Sequence, residues 1–144
     1  MISNEKQYNI SKKRVEMVKA RIREMQNDTS EDPLKKRLML APMNNHLSEV
    51  QEEIVQYERL KKKKKLTVKE RPLAQLPQLI TEYKIASGLT QKELSKKLGM
   101  KEQQLQRYEA NRFKGISFDN LLQFIEAMNI ELVVKPVVRR KRRK

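Results

Sequence analysis

The stretch from Thr90 to Ala110, TQKELSKKLGMKEQQLQRYEA, constrains this chain more than any other. It reads as two short helices joined by one tight turn. Thr90 and Glu93 have the T-x-x-E spacing of a capping box, in which each side chain satisfies a backbone N–H that the helix start leaves without a partner. Leu94 and Leu98 recur at i, i+4 on one face. Gly99 follows, where the chain has to pass through a positive φ that a residue without Cβ adopts at no cost. In the second helix Leu105 and Tyr108 turn inward at i, i+3, with Met100 closing the turn. Gln103, Gln106, Arg107 and Ala110 then fall on the opposite side, and none of the four is acidic.

Two short helices about such a turn form a helix-turn-helix, which lays its second helix in the DNA major groove. Gln pairs bidentately with adenine and Arg with guanine, so the outward face carries base-reading chemistry at its centre. The plainer alternative is that these are ordinary solvated helix residues. The pattern L-T-Q-x-E-L-x-x-x-L-G-x-x-x-x-x-L-x-x-Y-E resembles the Xre/Cro phage-repressor family, over roughly residues 73–132. The resemblance implies a lambda-repressor-like bundle of four or five helices that binds operators as a homodimer. It implies a phosphate contact for Gln91 and base contacts for Gln103, Gln104 and Arg107. It also puts Arg112 and Lys114 in a loop that grips phosphates. Lys101, Glu102 and Gln106 complete the candidate DNA-binding set. Glu102 departs from the Gln or Ser of phage members; it can accept from cytosine N4 or repel phosphate.

The wording K-E-Q-Q-L-Q-R-Y-E behind a helical extension is similar to small bacterial Xre-type regulators and to antitoxins of the host-inhibition-of-growth type. The expected function is therefore a sequence-specific double-stranded DNA-binding regulator, a repressor. Its alternative is an antitoxin that neutralises a toxin protein and represses its own operon. A weaker resemblance, to multiprotein bridging factors, implies a protein-bridging coactivator.

The net charge of +15 is unevenly spread over the 144 residues. Lys61–Lys65 contributes five positive charges and Lys135–Lys144 seven, whereas Leu73–Val134 has eight basic against seven acidic residues. The reader itself is nearly neutral, and its flanks supply sequence-independent attraction to phosphate. With no cysteine there is no disulfide, thiolate metal site or thiol nucleophile, and the lone His46 lies outside the motif. No Gly-rich phosphate loop or nucleophile–base pair points to an enzyme, a metal or a cofactor. No apolar run suits a membrane span or a signal peptide, so the expected location is cytoplasmic, on the nucleoid.

Along the chain, residues 1–10 read as a lead-in, and Ser11 can cap a helix with Val15, Val18, Ile22 and Met25 on one seam. Asn27–Ser30 breaks it, and Asp32-Pro33 starts the next helix. There Leu34, Leu38 and Ala41 continue a face up to a kink or break at Pro42; Leu47, Val50, Ile54 and Tyr57 form the following seam. Residues 1–65 are thus expected to be a helical hairpin, an association or toxin-binding extension with too little core to stand alone. Its outer faces mix Lys and Arg with Glu, a poor surface to lay along phosphate. A linker spans 66–72, the helix-turn-helix domain 73–134 and a basic tail 135–144. Within the domain, Leu76, Leu79, Ile80, Tyr83 and Ala86 build a first helix ending at Gly88, and Ser117 caps a last one with Phe118, Leu121, Leu122, Ile125 and Met128 inward. Ile130–Val138 is β-branched and reads as a short C-terminal strand, able to pair with a second copy. The fold class is all-α.

Overall fold

In the computed structural model, which describes residues 1–63 and 70–139, the regular structure is entirely helical. The expected linker therefore lies outside the described residues at 66–69, as do Lys64 and Lys65 of the lysine run and residues 140–144 of the tail.

Two long helices, α1 (Glu5–Asn27) and α2 (Pro33–Lys62), pack on each other as a hairpin. The first ten residues are no lead-in. Asn4 caps α1 by accepting from the Gln7 N–H, Ser11 lies inside the helix, and Ile2 is buried. An Asn side chain can reach that amide, so the helix starts two turns earlier than the apolar seam does. Asp32 caps α2 with Pro33 in its first turn, as the dipeptide predicts. Pro42 does not end α2, which runs through it. Proline leaves the Leu38 carbonyl without its helical donor, but Leu38 is 67% exposed and water can take that bond.

The same geometry corrects the α2 seam. Leu34 and Leu38 are 63% and 67% exposed, on the side away from α1. The apolar residues that are half-buried or buried along α2 are Leu40 and Met43, then the expected Leu47, Val50, Ile54 and Tyr57, and Leu60, at steps of 3, 4, 3, 4, 3 and 3. Val15 and Ile22 of α1 are buried against them.

Past a 3-10 turn at Leu73–Gln75 come α3 (Leu76–Ser87), α4 (Gln91–Leu98), α5 (Glu102–Ala110) and α6 (Phe118–Ala127). Leu94, Leu105 and Phe124 are fully buried at their centre, with Ile80, Phe113, Ile125 and Met128 around them. Phe124 meets Phe113 and Tyr108 edge-on, at ring separations of 5.3 and 6.3 Å. This corrects part of the expected inward face of α6: Leu121, Ile125 and Met128 do face the core, but Phe118 is 71% exposed and Leu122 is 39% exposed. Two stripes at helical spacing overlap on this helix, and the bundle buries the one running through Leu121, Phe124, Ile125 and Met128.

The hairpin does not stand apart from the bundle. Tyr57 and Leu60 of α2 form one buried cluster with Ile2 and with Ile85 of α3. Tyr8 stacks on Tyr57 at 5.1 Å, and the Tyr57 hydroxyl donates to Glu5 over 3.2 Å. Burial first, and the Glu5 carboxylate second, push the Tyr57 phenol up to about 12, so it stays a neutral donor. Residues 130–139 carry no strand among the described residues. A β-ladder needs a second extended segment, and the described chain offers none; Val133, Val134, Val137 and Val138 remain 68–90% exposed.

Candidate nucleic-acid interface

The interface grows from the turn between α4 and α5. Thr90 accepts from the Glu93 N–H at 3.2 Å, and the Thr90 N–H donates to Glu93 Oε2 at 2.9 Å, closing the capping box that the spacing predicts. Those bonds, backbone first, hold the Glu93 carboxyl below the usual carboxylate range. At the other end of α4, Gly99 adopts φ 62°, and the Met100 N–H bonds back to Ser95. The turn leaves Lys101 as the N-cap of α5, without a capping side chain, and Glu102 in the first helical turn. An acid there meets the positive end of the helix dipole, which supplies a structural reason for Glu102 apart from any base.

Leu105 is buried beneath α5, while Gln103, Gln104, Gln106 and Arg107 are exposed. Gln91 is held in place. It donates to Glu109 Oε2 at 2.9 Å and accepts from Gln106 Nε2 at 3.2 Å. Glu109 Oε1 in turn accepts from Lys84 Nζ at 2.6 Å, and those two side chains are 7% and 4% exposed. A chain of polar contacts thus runs from α3 through α5 to the start of α4 and back. The apolar periodicity passed over Lys84 and Glu109. A charge inside an otherwise apolar helix face was the available signal.

The loop after α5 is strained in a way no composition announces. Arg112 and Phe113 take φ 51° and 58°, left-handed values that cost a residue with a Cβ about 1–2 kcal/mol each. Phe113 is 7% exposed against Phe124, and its N–H donates to the Tyr108 carbonyl at 2.7 Å. Burial of the ring offsets the backbone cost and leaves Arg112 and Lys114 exposed on either side.

Of the nine sequence-derived candidates, Gln91, Gln106 and Arg112 line one cleft of about 1010 Å³. Its opposite wall is the start of α1, including Lys6, Gln7 and Ile10. Lys101, Glu102, Gln103, Gln104, Arg107 and Lys114 lie outside that cleft, exposed on α5 and its flanking turns. Among the described residues no group of His, Asp or Glu could hold a metal ion, and no helix is long and apolar enough to cross a membrane.

The helix-turn-helix family matches residues 80–134, the segment from α3 to the end of the exposed valines' first pair. No curated protein and no solved structure matches the chain. The match falls on the capped α4, the Gly99 turn and the exposed α5 just described. Residues 80–134 are thus an Xre-type helix-turn-helix domain, the domain of a DNA-binding transcription regulator.

Proposed function

We propose that the chain is a sequence-specific repressor that reads duplex DNA through α5. The observation carrying this is the polar chain Lys84–Glu109–Gln91–Gln106, which holds Gln91 beside an α5 face of unpaired donors. Gln103, Gln104 and Arg107 read base edges, with Gln106 at the margin of the face. Gln91, Lys101, Arg112 and Lys114 fix the register on phosphates, and the basic tail adds affinity for any sequence. One such unit covers a half-site, so the operator is bound by a homodimer with centres about one helical turn apart. Phe118 and Leu122 on α6, together with the valines after it, are exposed and suit that contact.

Gln103→Ala and Arg107→Ala are each expected to cost about 1–3 kcal/mol at one base position and to relax specificity there. Selection of bound sequences from a random duplex pool measures it. Unchanged preferences in both variants would refute the assignment.

The antitoxin reading draws on a different observation. Leu34, Leu38 and Met39 are 63%, 67% and 52% exposed on α2, away from both α1 and the DNA-reading helix. An apolar surface of that kind suits a protein partner. A toxin gene beside this one, whose product binds the chain and loses that binding on Leu34→Asp/Leu38→Asp, would favour it.

A further inference from the structure

We infer that α1 is a second DNA-contacting element, whose outer stripe of cations lies along the phosphate backbone flanking the site read by α5. The inference rests on the DNA-binding reading and extends it to a surface outside the helix-turn-helix. Lys6, Ile10, Lys13, Arg14, Met17 and Arg21 recur at helical spacing on the side of α1 away from its buried Val15 and Ile22. All six are exposed. The four cations among them take part in no ion pair among the described residues, and the stripe meets its first acid only at Glu24.

An exposed basic stripe alone would be a solvated helix face. Its position makes the difference, because Lys6 and Ile10 form one wall of the cleft whose other wall holds Gln91, Gln106 and Arg112. The cleft's acid, Glu109, is already matched by Lys84, so Lys6 and Arg112 leave it positive. A backbone strand engaged by Gln91 and Arg112 therefore runs toward the start of α1. From Lys6 to Arg21 the helix rises about 22 Å, the length over which one DNA strand presents roughly six phosphates. The pooled charge of the hairpin hides this stripe. Most of its glutamates lie instead on α2, at Glu49, Glu52, Glu53 and Glu58, and on the other flank of α1, at Glu5 and Glu16.

The test compares charge removal on two flanks of one helix in the full-length chain. Lys6→Gln/Lys13→Gln removes two stripe cations; Lys12→Gln/Lys19→Gln removes two from the opposite flank. The probe is a mixed-sequence duplex three helical turns long, titrated over a range of salt. The stripe pair is expected to bind roughly fivefold more weakly per lost contact near 0.15 M salt, with log affinity falling less steeply by about 0.9 per contact. The opposite pair should change far less, and Arg14→Gln/Arg21→Gln should repeat the stripe result. Thermal melts followed by circular dichroism should superimpose for all variants. Equal losses on both flanks, or none on the stripe, would overturn the inference while leaving the recognition helix in place. A wild-type chain that binds no duplex at all would overturn both.

Discussion

Lys84→Met is expected to destabilise the folded chain by about 3–5 kcal/mol, the cost of leaving a buried charge without its partner. Glu109 is 7% exposed, and after the substitution only the amide of Gln91 would face its carboxylate. Denaturant unfolding measures the loss as a lower midpoint at unchanged slope. The companion variant Lys84→Met/Glu109→Leu removes both charges, and most of the stability should return, because a well-packed apolar pair replaces an ion pair at little net cost. Affinity for DNA should not return with it. Gln91 would have lost the acceptor that orients it, so stability and binding would separate. A single Lys84→Met variant as stable as the parent would show that the pair is not buried in solution.

Phe124→Ala should cost about 3–5 kcal/mol, whereas Phe118→Ala should stay within about 0.5 kcal/mol. Both are phenylalanines on α6, six residues apart. Phe124 is fully buried between the rings of Phe113 and Tyr108, while Phe118 is 71% exposed at the first helical position. Truncating Phe124 opens a cavity at the centre of the bundle and removes the surface against which Phe113 packs. The left-handed backbone at Arg112 and Phe113 is held by that packing. The Phe124 variant should therefore also loosen the loop that carries Arg112 and Lys114. Unfolding by urea, with hydrogen exchange at the Phe113 amide as a local reporter, checks both parts. Equal costs at the two positions would put the other α6 stripe inside.

The features legible in the sequence are those decided within a few residues of chain. Thr90 and Glu93 close their capping box, Gly88 and Gly99 take positive φ at helix ends, and Asp32-Pro33 starts α2, because each satisfies backbone groups within its own turn. The outward set Gln103, Gln106 and Arg107 was equally legible, since burying Leu105 orients the whole of so short a helix. Other features needed a packing partner. The overlapping stripes on α6 and the two apolar faces of α2 are nearly equal in one dimension, and only the neighbouring helix selects which is dry. Pro42 reads as a break until α1 holds both sides of the helix in line and Leu38 faces water. Lys84 and Glu109 stand 25 positions apart in the sequence, each a charge within an apolar helix face, and become a buried pair only when α3 and α5 meet. The cations of α1 likewise count as several mixed charges until the fold puts one of them, Lys6, in a cleft with Gln91. Local hydrogen bonding acts within one turn of helix and is written where it acts; burial is a property of two surfaces, and one stretch of sequence holds only one of them.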